Sequence, residues 1–335
     1  MTCDREIKAF TRAWCGKDDR IAAASYFGTF AVYFLTLWLA MTSAQAGLWL
    51  VVVPILVVNA FSAVRLYVLQ HDTGHHSLFS TKRMNDLAGY GLSTFTLTPY
   101  RAMQYNHNMH HAYLVVFNDT ATTEIYTMTL REWNAAGWWK RLTYRLYRNP
   151  AVMMALGGVL VYALRYRWPK NASRTGLGEI MAHNIAVLAW VMLIHAIWGG
   201  TGLAVYGATV VMAGAIGVFL VFLQHNFEDT YWDRRPDLNK AKAELVGSSC
   251  LDLGWWFDLG TGNIAYHDIH HFNPAIPSYR LRKCHKALRP HVDMHIIRWP
   301  EAIRSFGLKL WDEDRQKLVP FPPARVGAGV GAVGA

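Results

Sequence analysis

Four long apolar stretches, at 21–42, 48–69, 180–198 and 203–223, constrain this chain more than any other feature. Each is close to the ~20 residues that a helix needs to cross the ~30 Å hydrocarbon core of a bilayer. The uncharged turn SAQAG joins the first pair and GGTG joins the second. Such tight links predict two helical hairpins, each entering the membrane and returning to the same side. A shorter apolar run, 151–164, is bounded by Arg148 and Arg165. Its length predicts an interfacial or re-entrant segment and not a span. The expected architecture is an all-α integral membrane protein, with four transmembrane helices as two hairpins under a helical cytoplasmic cap. An N-terminal segment, 1–20, precedes a membrane domain over 21–290. The remainder, 291–335, ends in the low-complexity run PFPPARVGAGVGAVGA, for which disorder is expected.

Charge then sets the orientation. The chain is 53% hydrophobic and only 17% charged, which excludes intrinsic disorder over nearly its whole length, yet its formal charge is +10. A basic balance can signal nucleic acid, an anionic membrane surface or membrane topology. Of the 33 Lys and Arg, five fall in the first 21 residues, twelve in 70–178 and fifteen from 225 onward. Arg65 alone lies inside an apolar run, and neither hairpin turn carries a positive charge. By the positive-inside rule both termini and the middle loop face the cytoplasm, and no nucleic-acid partner is needed to explain the charge. No signal peptide is expected, because the opening 20 residues lack a short apolar core before a cleavage site. Cys3, Cys15, Cys250 and Cys284 form no CxxC pair, so free thiols are expected.

Nine of the 15 histidines sit in three boxes: His71-Asp-Thr-Gly-His75-His76, His107-Asn-Met-His110-His111 and His267-Asp-Ile-His270-His271. On a helix, spacings of three and four put imidazoles on one face, one turn apart. All three boxes fall on the side that the charges mark as cytoplasmic. Isolated histidines are usually satisfied core residues, which covers His183 and His195, but repeated boxes point to metal. With His225 at the end of the fourth stretch, the set is large enough for two metals with four or five nitrogens each. Neither H-E-x-x-H nor Glu-x-x-His occurs, so zinc-protease and carboxylate-bridged di-iron sites are not supported. Two irons in an all-nitrogen shell at the membrane edge point to O2 activation.

With these boxes in this order, the chain resembles the membrane fatty acid desaturases over most of 20–290, and most of all the bacterial acyl-lipid ω-6 (Δ12-like) type. HDTGHHSLF, TTEIYTMTLREW, LQHNFEDTYW and TGNIAYHDIHHFNPAIPSYRL carry the likeness. The resemblance implies that His71, His75, His107, His110, His111, His225, His267, His270 and His271 hold two non-heme irons. It extends the set to His76, whose direction on a helix differs from that of the His71/His75 pair. Asp72, Glu228, Asp229, Asn263 and Asp268 are candidates to orient the ligand rings, since a ligating imidazole usually donates its other N–H to a carboxylate or carbonyl. A helix cap or solvated loop is the alternative for each. His285, His291 and His295 lie beyond the last box and are expected at the surface or interface.

The implied reaction removes two vicinal hydrogens from an acyl chain at the expense of O2, leaving a cis double bond. The implied electron donor is a separate protein, ferredoxin or a cytochrome b5-like carrier with its reductase, because no heme, dinucleotide or four-cysteine motif is present. The basic cluster Arg280, Arg282, Lys283 and Lys286 suits a lipid phosphate, an acidic carrier or plain interfacial anchoring. A hydroxylase, acetylenase or carotenoid ketolase of the same superfamily would use the same boxes. A metal transporter would place its ligands near the bilayer midplane, and a structural membrane protein would hold no metal.

Overall fold

A computed structural model describes residues 4–112, 126–168, 172–233, 244 and 246–323. Short α1 (Asp4–Arg12) leads into α2 (Asp19–Gln45) and α3 (Trp49–Gly74), and both of the latter are long and apolar enough to span a bilayer. Asp18 starts α2 by accepting the N–H groups of Arg20 and Ile21. Gly47, at φ 74°, turns the chain between the two helices. Their outward faces are bare hydrocarbon: Leu50 is 93% exposed and Phe27 67% exposed, which a water-soluble surface would not sustain.

After α3 come α4 (Lys82–Thr96), α5 (Tyr100–Ala112), α6 (Leu130–Ala135) and α7 (Trp138–Tyr147). The 49-residue α8 (Leu177–His225) covers both remaining apolar stretches, so among the described residues three helices reach spanning length against the four stretches expected. α8 is interrupted, because Gly199 takes the non-helical angles φ 60°, ψ −149°. A straight helix would separate Trp190 from Tyr206 by ~24 Å. Their rings lie 6.5 Å apart, so the chain doubles back at the GGTG turn.

Polar groups bind these helices together. The Asn59 amide donates to Tyr33 O (2.8 Å) and Thr36 Oγ1 (2.9 Å) and accepts from Thr209 Oγ1 (2.8 Å), joining α2, α3 and α8. Arg65, the lone cation in an apolar run, donates to Thr29 Oγ1 (3.0 Å), Ser25 Oγ (3.1 Å) and the Leu259 carbonyl. At the C-terminal end of α3 the Gln70 amide accepts the Thr96 and Thr98 hydroxyls at 2.7 and 2.6 Å. It donates to Ser93 Oγ and Thr98 O, locking α4 against the first box.

The 151–164 run takes a form that its sequence does not announce. Pro150–Val152 passes into π-helical turns over Met153–Gly157 and Val159–Leu164, then a 3-10 turn at Arg165–Arg167. Wide turns of this kind mark functional segments elsewhere. The segment lies against α8 where two glycines meet. A Cβ on Gly158 would sit 2.3 Å from Gly214 Cα, so only glycine permits the approach.

The cap departs from the all-helical expectation. Helices α9 (Trp255–Gly260), α10 (His267–Phe272), α11 (Ser278–Leu288) and α12 (Trp299–Ser305) are joined by two small sheets. Met128–Thr129 pairs parallel with Leu310–Asp312, which pairs antiparallel with Lys317–Val319. Cys250–Leu251 pairs parallel with Ile296–Ile297. Cys15, Cys250 and Cys284 are free thiols. Cys3, residues 122–125 of TTEIYTMTLREW and the 324–335 end of the tail lie outside the described residues.

Candidate metal centre

Four helices bring the histidines together: the C-terminal ends of α3 and α8, α5, and α10. Two groups result. His71, His75, His107, His111 and His270 form one, and His110, His225, His267 and His271 the other. Within each, one ligand nitrogen per residue lies within 4.8 Å of all the rest.

Helix geometry explains the partition. Residues four apart differ by ~40° around the axis, whereas neighbours differ by ~100°. In α5, His107 and His111 therefore face one group while His110 faces the other. In α10 the arrangement is reversed, with His267 and His271 in the second group and His270 in the first. Each H-x-x-H-H box thus serves both groups.

The ring nitrogens converge closely. Nε2 of His111 lies 2.9 Å from that of His107 and 3.1 Å from that of His270. Nε2 of His271 lies 2.9 Å from that of His267 and 3.3 Å from that of His110, and Nε2 of His225 is 3.2 Å from that of His267. Two nitrogens each ~2.1 Å from one metal sit roughly 3.0–3.4 Å apart at ordinary coordination angles. The Nε2 atoms of His71 and His75 are buried without a hydrogen-bond partner. Burial, then the neighbouring imidazoles, holds His107, His111, His267, His270 and His271 well below the ordinary imidazole range. His110 is pushed down to about 4 by burial and by His71. A neutral imidazole with a free lone pair is what a metal requires, and this all-nitrogen donor set fits one in each group.

The surrounding residues sort differently from expectation. Asp72 lies beside the first box as read: its Oδ1 is 3.4 Å from His71 Nδ1, and its Oδ2 accepts the Ser278 N–H at 2.8 Å. His225 Nδ1 lies 3.0 Å from the Gly247 carbonyl. Asp268 is buried, but its carboxylate caps the Ile269 N–H (2.7 Å) and lies 3.5 Å from His285 Nε2. His285 is therefore interior, contrary to the surface position expected for it, whereas His195 is exposed on α8 and not in the core. His183 is buried, and His295 is half-buried, stacked on Phe227 at 4.7 Å.

Four of the expected site residues stand apart. His76 adopts φ 53°, beyond the end of α3, and its Nε2 meets Asp86 Oδ1 at 3.1 Å. Glu228 is exposed and paired with Lys317 Nζ at 2.7 Å, and Asp229 is exposed, because α8 ends at His225 and the chain turns outward. Asn263 adopts φ 64° and shapes the turn before the third box through its backbone, its N–H donating to Asp258 O at 2.9 Å. One carboxylate with no local signal is Asp86. It receives His76, Tyr100 Oη (3.1 Å) and Arg101 Nη2 (3.5 Å), while Tyr100 Oη also donates to Thr73 O at 2.9 Å and so fixes the first box. Gly89 lies under that ring, where a Cβ would come within 2.3 Å.

An apolar cavity of about 780 Å³ opens between α7, the π-helical segment, α3 and α8, lined among others by Tyr67, Met153, Leu160, Tyr162 and Val221. That volume is in the ~300–1,000 Å³ range of small-molecule sites. Tyr67 and Val221 precede His71 and His225 by four residues, so the cavity lies one helical turn, ~6 Å, from both groups. The edge-to-face pair Tyr67–Tyr162 (5.1 Å) also borders a deeper pocket of about 60 Å³ beside Tyr33, Phe95 and Tyr206. A groove of equal volume near Arg289, Arg298 and Arg304 is polar and lined by no histidine of either group.

A family model described as "Fatty acid desaturase" matches residues 47–302. A Bacillus subtilis protein described as "Fatty acid desaturase" is 33% identical over 319 residues, covering 95% of this chain and 90% of that one. The "sn-1 oleoyl-lipid 12-desaturase" of Arthrospira platensis is 23% identical, covering 81% and 76%. The "sn-1 acyl-lipid omega-3 desaturase (ferredoxin)" of Synechocystis is 26% identical, covering 67% and 64%.

Proposed function

Since this chain belongs to the fatty acid desaturase family and acts as a desaturase, we propose that it places a cis double bond in the acyl chain of a membrane lipid. The carrying observation is the convergence of nine imidazoles one helical turn from an apolar cavity. His71, His75, His107, His111 and His270 would hold one iron, and His110, His225, His267 and His271 the other. Bound there, the irons supply the oxidising power, drawn from O2, that side-chain acid–base chemistry lacks.

The chain's own residues do the rest. The cavity walls hold the acyl chain beside the histidines and exclude water. Burial keeps His107, His110, His111, His267, His270 and His271 unprotonated. Asp72 orients His71 from its Nδ1 side and, through the Ser278 N–H, ties α3 to the start of α11. Electrons come from a separate carrier, ferredoxin or a cytochrome b5-like protein with its reductase, and the Synechocystis relative carries ferredoxin in its description. The fold-back at Gly199 and the charge asymmetry support four crossings of a bacterial cytoplasmic membrane as two hairpins, with both termini and the histidines inside.

Expression in a bacterium without desaturases, followed by gas chromatography–mass spectrometry with double-bond location, tests this. New cis-monoenes or dienes are expected, and hydroxylated or unchanged chains would refute it. Purified protein with well under two irons per chain would remove the metal assignment.

A further inference from the structure

Among the described residues, Arg148 is the one fully buried arginine, and no carboxylate pairs with it. Its guanidinium reaches Tyr126 O and Thr127 Oγ1 with Nη1, and Asn226 Oδ1 and Leu308 O with Nη2. It also lies 5.2 Å over the ring of Phe222, which Phe306 stacks at 4.9 Å. Lys309 Nζ adds a second buried cation, donating to the Arg148 carbonyl at 2.6 Å. Burying a guanidinium without an anion costs several kcal/mol, so a fold retains one only where its donors are needed.

Its contacts show where they are needed. Phe222 precedes His225 by three residues and Asn226 follows it by one. The guanidinium therefore grips the last turn of α8 on both sides of one histidine. Asn226 is held in turn, its Nδ2 donating to Ser305 O at 3.0 Å. Unlike the box histidines of α5 and α10, His225 is the only contribution of its helix to either group.

We propose that Arg148 is a positioning residue for His225, a clamp that aims this imidazole into the four-histidine group. The inference rests on the two-metal reading above. Lysine cannot replace it, because a point donor cannot serve Asn226, Thr127 and Leu308 together while lying flat on Phe222.

Two measurements on the full-length protein test the clamp. Cobalt(II) titration, followed by absorbance and metal analysis, reads the groups separately. Arg148→Met and Arg148→Lys should each weaken one of the two metals at least tenfold and leave the other at its wild-type affinity. Hydrogen exchange on metal-free protein is the second readout: amides over 223–226 should exchange at least tenfold faster in the variants, with α5 unchanged. Should Arg148→Met fail to fold, Asn226→Ala removes the guanidinium's side-chain contact next to His225 and should give the same selective pattern. Variants that keep both metals at wild-type affinity and wild-type protection over 223–226 would overturn the clamp. A wild-type protein that binds no cobalt would sink the two-metal reading instead, and the exchange data alone would then decide the clamp.

Discussion

His110 and His111 are neighbours in sequence, yet they face different groups, so replacing each with alanine should deplete a different metal. His110 Nε2 meets His271 Nε2 at 3.3 Å, whereas His111 Nε2 meets His107 and His270 at 2.9 and 3.1 Å. A four-ligand structural site binds its metal with an apparent ~10–16 kcal/mol, or roughly 3 kcal/mol for each ligand. Losing one imidazole should then weaken the affected metal by about two orders of magnitude. His110→Ala removes one donor of four and His111→Ala one of five, so the former should be the more severe. Cobalt titration with metal analysis after desalting should give about one metal per chain for each single variant. Double variants identify which metal remains. His110→Ala with His267→Ala should still hold one metal, because both changes strike the same group. His110→Ala with His75→Ala should hold none. If both doubles behave alike, or if the two single variants deplete the same metal, the partition is wrong. Desaturation should be lost in every case while the protein still inserts into the membrane.

Other outcomes follow from the same geometry. Metal-free protein should lose stability in acid: burial depresses His107, His111, His267, His270 and His271 in the fold, and His110 to about 4, against ~6.5 in an unfolded chain. The unfolded state therefore binds more protons, so the stability is intact above pH ~6.5 and falls as pH drops toward 4, which thermal melts across that window would detect. Tyr67→Ala or Tyr162→Ala should join the large cavity to the deeper pocket, and longer acyl chains or displaced double bonds in the product profile would register it; an unchanged profile in both variants would exclude the pair from substrate selection. Tyr100→Phe deletes the bonds to Thr73 O and Asp86, one of them to a charged acceptor, at a cost of about 1–3 kcal/mol. A melting temperature unchanged from wild type would show that this hydroxyl does not brace the first box.

The membrane helices could be read directly from the sequence because length and apolar composition alone decide whether a helix suits a bilayer. The GGTG turn was legible for the same reason, as a short uncharged break between two such runs. The cap was not: strands of two or three residues, such as Met128–Thr129 against Leu310–Asp312, depend on pairing between segments far apart in the chain. The boxes announced a metal site, but dividing them into five and four requires knowing how α3 and α8 dock on α5 and α10. Asp72 was visible because it belongs to the helix that carries its histidine. Glu228 and Asp229 misled because adjacency to His225 says nothing once α8 has ended. Asp86 and Arg148 left no local mark, since Asp86 acts on the first box and Arg148 on His225, each from another segment.

The shared boxes also make this chain intolerant of insertion. One extra residue between His107 and His110 would rotate everything after it by ~100° around the α5 axis. His110 would swing into the place that His111 holds, four residues after His107, and His111 would turn away, so the four-histidine group alone would lose its α5 donor. In α10 the same insertion would instead strip the five-histidine group of His270, so the box in which the length changes decides which group is disarmed.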